Sequence, residues 1–168
     1  MKRFSLVRGE QSTQHNLFVR EVTGHDPSLV SAAVNIDLNS HSEPTLTKVS
    51  TGSMMRHGRM FLLEADSVVI GTCQCMRTWG NPSEVALVNQ AIRSGWRGFG
   101  LGSWFLEQVL WILRQHGFRS VVVHVECDNT RALHLYQHKF DFVPVGGCEL
   151  EYGPGEGLVM MRRLLAGA

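Results

Sequence analysis

The pattern of apolar runs predicts an α/β protein, a mixed central sheet with helices on both faces. Three observations carry it. β-branched and aromatic runs recur along the chain, a strongly periodic helix stands among them, and Gly, Pro, Asn or Asp marks most boundaries.

Leu17–Val22 reads as the first strand of a domain spanning residues 1–168, with residues 1–16 as an N-terminal extension. Asp26 can cap a helix that Pro27 opens and that continues over 28–38. Residues 39–44 read as a loop, and 45–57 as a second helix closing at Gly58. Met60–Ala65 and Val68–Met76 are strands at hairpin spacing around Asp66-Ser67, residues less than ideal for the turn. Glu84–Ile92 is a further strand. From Ser103 to His116, Phe105, Leu106, Val109, Leu110 and Leu113 recur at helical spacing, and Gly117 is a natural stop. Val121–Val125 is a strand, 128–138 a short helix, and Phe140–Val145 and Leu158–Arg162 are terminal strands.

With 168 residues the chain can bury a sizeable core, and its formal net charge of +1 provides no broad field for nucleic acid or anionic lipid. Stretches free of polar residues, such as Val109–Leu113, fall far short of a membrane span. The protein is expected to be cytoplasmic, with neither nucleic acid nor membrane as partner. The four cysteines, at 73, 75, 127 and 148, match neither a zinc spacing nor a dense secreted framework. Cys73 and Cys75 share one strand face, where free Cys packs as a small hydrophobe. Trp79, Trp96, Trp104 and Trp111 read as packing residues, since no basic stripe accompanies them. His134 and His138 stand four apart without a third ligand, so no metal is expected.

The segment Trp96-Arg97-Gly98-Phe99-Gly100-Leu101-Gly102-Ser103 joins a strand to the strongest helix. Glycines there allow close backbone approach, and the N–H groups of a first helical turn favour an anion such as pyrophosphate. No Gly-Lys-Ser/Thr follows, and Ser103 occupies the third-Gly position of a dinucleotide fingerprint. Taken alone, the segment is equally a turn that needs glycines for its shape.

Arg97-x-x-Gly100-x-Gly102, the Val121–Val125 strand, and Asn129-x-x-Ala132-x-x-Leu135-Tyr136 on a short helix together resemble the GNAT family of acetyl-CoA-dependent N-acetyltransferases. In element order the resemblance covers residues 17 to 163, and its specific part runs from Val88 to Phe142. It implies the GNAT acyl-CoA N-acyltransferase fold, acetyl-CoA as co-substrate and a homodimer. By position, Ile92 would offer backbone groups to the pantetheine arm, and Arg97, Gly98, Phe99, Gly100, Leu101 and Gly102 would wrap the pyrophosphate. Asn129 resembles the family's Asn at the cofactor arm, and Tyr136 its Tyr near the thioester sulfur. Seven residues apart, they lie two turns along one helical face. Asn129 is equally readable as a helix cap and Tyr136 as a buried aromatic. The family usually follows Leu-Tyr with three residues and then Gly-Phe. Here Gln137-His138-Lys139-Phe140 precede Asp141-Phe142, one residue more, with an Asp that tolerates the left-handed conformation.

Acetyl transfer to an amine needs a base for an ammonium of pKa near ~10, donors for an oxyanion, and a proton for the leaving thiolate. The resemblance places the oxyanion donor on the backbone near Ile92 and the proton on Tyr136. Some members that acetylate protein N-termini carry a Glu base five positions before the motif Asn, where this chain has His124. Glu126 is the second candidate base on the same strand face. The acceptor site of the family is usually built from the first helical pair, here Ala33–Met55, and the loop before the last strand, here Gly146–Gly157. Glu149, Glu151 and Glu156 in that loop would favour a cationic amine, and Tyr152-Gly-Pro-Gly-Glu156 is similar to a loop of members that act on peptide N-termini or small amines. The expected partner is therefore an amine-bearing small molecule, an amino acid or a peptide. A non-catalytic acyl-CoA-binding module is the remaining reading.

Overall fold

A computed structural model describes residues 2–8, 11–38, 46–149 and 157–165. In chain order these form β1 (Lys2–Arg8), β2 (Gln11–Val22), α1 (Pro27–Leu38), α2 (Lys48–His57), β3 (Arg59–Ala65), β4 (Val68–Arg77), β5 (Glu84–Ile92), α3 (Leu101–Gln115), β6 (Ser120–Glu126), α4 (Thr130–His134), β7 (Val143–Glu149) and β8 (Leu158–Leu164). The eight strands make one mixed sheet in the order β1-β2-β3-β4-β5-β6-β8-β7. Two compact units divide the chain, one of residues 1–76 with 89–111 and one of 77–88 with 112–168.

In the first unit, the region read as an extension includes β1 and the start of β2, paired from Lys2↔Leu17 to Arg8↔Gln11. Helix α1 begins as its capping residue dictates. The Asp26 carboxylate accepts from the Ser28 hydroxyl at 2.6 Å and from the Ser28 N–H at 2.8 Å, and these bonds hold its pKa below the usual carboxylate range. Helix α2 starts later than the sequence suggests, at a reciprocal Thr47/Ser50 cap. Between β3 and β4, Asp66 and Ser67 take φ of 48° and 70°, the left-handed pair of a tight hairpin turn. Asp66 also bonds sideways, accepting from the Asn16 N–H at 2.9 Å and meeting His15 Nδ1 at 2.7 Å. A turn of unpromising residues is thereby tied to β2, and His15, in the region read as an extension, lies within that strand.

Met60 and Leu62 of β3 bury themselves with Val30 and Ala33 of α1 and Met55 of α2. Asn89 Nδ2 donates to Asp37 Oδ1 in α1 at 2.9 Å, while Gln90 Nε2 donates to the Gly102 carbonyl in α3 at 2.7 Å. Successive residues of one strand point to opposite faces, so α1 and α3 cover opposite sides of the sheet. The Asp37 carboxylate is fully buried, and its other oxygen accepts from the Leu46 N–H at 2.8 Å. Cys73 and Cys75 are buried free thiols on β4, and their mutual hydrogen bond and burial push the Cys73 pKa up.

In the second unit, β5 and β6 run parallel from Glu84↔Ser120 to Leu87↔Val123, and β8 lies antiparallel along the other side of β6. Glu84 is buried and accepts from Ser120 Oγ at 3.0 Å and Arg162 Nε at 2.8 Å. Gly117, at φ 83°, ends α3, and the Phe118 N–H returns to the Leu113 carbonyl at 3.2 Å. The strand expected from Phe140 begins at Val143, because Asp141 turns the chain first with φ 52°. Two tryptophans depart from their reading as packing residues: Trp79 is fully exposed and Trp111 largely so.

Candidate active site

The expected site residues fall into two groups, one on each unit. In the first, β5 ends at Ile92 and the chain enters a short 3-10 turn over Ser94–Trp96. Arg97 does more than precede the glycines: its Nε donates to the Ile92 carbonyl at 2.8 Å and so closes the turn on the strand end. Gly98 and Gly100 adopt φ of 84° and 74°, and a Cβ on either would meet nothing within 4 Å. Both glycines are therefore required for conformation, and the space beside them stays open.

Trp104 N–H to Gly100 O, at 3.1 Å, is the first bond of α3. The N–H groups of Leu101, Gly102 and Ser103 lack intrahelical acceptors, the arrangement that attracts an anion. Gly102 is in helical conformation, and a Cβ there would reach Ile92 Cγ1 at 3.5 Å, an ordinary contact. Gln90, which holds the Gly102 carbonyl, was not singled out from the sequence, although strand alternation puts it beside Ile92. Nor were the aromatic neighbours of this turn. Phe99 packs edge-on against Phe4 at 6.5 Å, Trp96 against His15 at 4.8 Å, and Lys2 Nζ lies 5.3 Å from the Trp104 ring centre.

In the second group, His124 and Glu126 project from one exposed face of β6, alternating with buried Val123 and Val125. Their register partners on β8 are Met160 and Leu158. Asn129 caps α4, its Oδ1 accepting from the Ala132 N–H at 3.1 Å. The capping role read as one of its alternatives is thus present, and the cap leaves the Nδ2 donor of the amide unengaged by that bond.

Tyr136 is buried and packs edge-on against Phe142, ring centres 5.1 Å apart. Its segment, Leu135–Lys139, is a π-helical turn. The even helical face expected from Asn129 to Tyr136 therefore holds only to His134. A π turn absorbs one additional residue, which accounts for the longer spacing between Tyr136 and Phe142. The Phe142 N–H donates to the Tyr136 carbonyl at 3.0 Å, and left-handed Asp141 makes that return possible. The His134 and His138 rings lie 4.4 Å apart in this turn. Among the described residues, no three His, Cys, Asp or Glu are grouped to hold a metal, and no helix is long and apolar enough to cross a membrane. Glu151, Tyr152 and Glu156 of the expected acceptor loop lie outside the described residues.

No curated protein matches the chain in sequence. Among solved structures, the ribosomal-protein-S18-alanine N-acetyltransferase of Escherichia coli is 19% identical with a TM-score of 0.75, over 90% of this chain and 96% of that one. Ard1 of Thermoplasma volcanium is 20% identical, TM-score 0.70, over 88% and 97%. The structure of yncA from Salmonella typhimurium, with its cofactor acetyl-CoA, is 17% identical, TM-score 0.68, over 91% and 96%. These likenesses concern the fold. The family model for acetyltransferases of the GNAT family matches residues 32–142, a span that takes in the glycine turn, β6 and the Asn129–Tyr136 segment. On that match this chain belongs to the acetyltransferase (GNAT) family.

Proposed function

We propose that this protein transfers the acetyl group of acetyl-CoA to a primary amine of a small molecule or amino acid, by direct attack of the amine. The observation that carries this reading is the turn before α3, where left-handed Gly98 and Gly100 leave open space beside helix N–H groups that have no intrahelical acceptor. Those groups fit a pyrophosphate. When bound, acetyl-CoA supplies an activated acyl group as a thioester.

The Leu101, Gly102 and Ser103 N–H groups hold the phosphates, and Arg97 keeps their turn fixed to Ile92. Asn129 Nδ2 is offered to the cofactor arm. His124 accepts the proton of the incoming ammonium, with Glu126 as the second group able to do so. Tyr136 gives its phenolic proton to the departing thiolate, with Phe142 fixing the plane of its ring.

The first test is thermal unfolding with acetyl-CoA, NAD and ATP in parallel, since a ligand of the native state alone raises the midpoint. A shift with acetyl-CoA alone, lost in Gly100→Glu, is expected; no shift at saturation refutes the reading. Tyr136→Phe should keep the shift and lose turnover against a panel of small amines, amino acids and peptides with free α-amines. Turnover confined to the peptides would move the acceptor to a peptide N-terminus, and no turnover by the parent would leave a binding module.

A further inference from the structure

Cys127 and Cys148 form a disulfide, with Cα atoms 6.1 Å apart across a sequence separation of 21. Spacing gave no hint of it. Cys127 follows β6 directly and donates its N–H to the Gly157 carbonyl at 2.9 Å, while Cys148 on β7 is in register with Val159. The bridge therefore ties together the chain on both flanks of the first residues of β8. It also closes the loop that contains α4, the π turn and Asp141.

This loop needs a fastening. Its α4 has five residues, too few to be stable without tertiary support. Pairing of β7 with β8 is interrupted between Pro144 and Cys148, beyond which the register holds for Cys148↔Val159 and Glu149↔Leu158. Cys148 is exposed and Cys127 half-buried, whereas the remaining thiols, Cys73 and Cys75, are buried. A thiol in solution thus has access to the bridge and not to the other two sulfurs.

We infer that Cys127–Cys148 is a thiol–disulfide exchange site, with a dithiol as co-reactant, and that it latches the Asn129–Tyr136 segment so that opening it weakens acetyl-CoA binding. This consequence rests on the acetyl-CoA reading above. A thiolate of the dithiol attacks Cys148 Sγ, the S–S bond breaks, and Cys127 leaves as a thiolate that takes up a proton. The second thiol of the reagent, deprotonated, then displaces Cys148, which is likewise protonated. Two electrons pass from the dithiol, which becomes a cyclic disulfide, to the two protein thiols. Coupling is reciprocal, so acetyl-CoA makes the bridge harder to reduce by the factor that reduction weakens acetyl-CoA.

The test uses the full chain, oxidised in air, with dithiothreitol as the probe. Non-reducing peptide mapping should find the Cys127–Cys148 cross-link, and native dithiothreitol followed by alkylation should label these two cysteines alone. Calorimetric titration should show acetyl-CoA bound at least about fivefold more weakly after reduction. The Cys127→Ser/Cys148→Ser variant should bind like the reduced parent and ignore dithiothreitol. Should that variant not fold, the reduced parent serves alone. Absence of the cross-link, resistance to native reduction, or equal affinity in both redox states overturns the inference. If the oxidised parent binds no acetyl-CoA, the functional reading fails on its own. The latch is then judged by hydrogen exchange over residues 127–149, which must rise on reduction; unchanged exchange refutes it.

Discussion

Gly100→Ala and Gly102→Ala, two residues apart in one turn, should change stability in opposite directions. At Gly100 a Cβ would meet nothing within 4 Å, so the cost lies in the backbone, held at φ 74°. A left-handed L-residue costs about 1–2 kcal/mol, and about 0.4–1 kcal/mol returns because Ala narrows the unfolded ensemble. The net loss is about 1 kcal/mol, which lowers the unfolding midpoint by roughly 2–4 °C for a chain of this size. Gly102 is within α3, and its Cβ would meet Ile92 Cγ1 at 3.5 Å and Gln90 Nε2 at 3.9 Å without clash. Helix propensity then favours Ala by up to about 1 kcal/mol. Urea unfolding of the parent and both variants measures the difference, about 2 kcal/mol if both effects are complete. Gly100→Ala as stable as the parent, or Gly102→Ala no more stable than Gly100→Ala, would refute the assignment of conformation to the first glycine and of helix to the second.

Hydrogen bonds from Ser28 lower the Asp26 pKa, and those from Asn16 and His15 lower that of Asp66. Depressed folded-state values mean that this stability is fully present above the ordinary 3.8 and is lost as pH falls through the lowered values. The Asp26→Asn/Asp66→Asn variant should accordingly show a shallower fall in unfolding midpoint below pH 4 than the parent; an equally steep acid limb would contradict the assignment. Deleting Gln137 should convert the π turn to ordinary helix while preserving the fold, since the turn houses one additional residue. Circular dichroism and urea midpoints near those of the parent are expected, and a collapsed or insoluble product would show that the π turn is integral to the packing of Tyr136.

The strand over Glu84–Ile92 was legible to its last residue, because alternation and turn signals act within a few neighbours. The Asp26 cap and the Gly117 stop were legible for the same reason. So were the glycine turn and the left-handed Asp141, where the conformation is a property of the residue itself. Gln90 and Arg97 show where such reading ends. Gln90 looks like any polar residue near a strand end and Arg97 like a member of the turn expected to wrap the pyrophosphate, and each turns out to hold a carbonyl of the cradle. The Asn129–Tyr136 group shows the same limit: residue types and spacing placed both residues on one helix, but the π turn depends on how Phe142 packs back on Tyr136.

From Leu17 onward, side-chain period, capping and backbone freedom fix most of the elements, their order and the local chemistry of the glycine turn, whereas β1 and the π turn went unread. Tertiary structure decided what no local pattern encodes. It seated the amino-terminal strand beside β2, set Asn89 and Gln90 to opposite helices, and brought Cys127 to Cys148. Each of these joins residues far apart in the chain or on different elements, and such contacts are selected by the burial and hydrogen bonding of the folded whole.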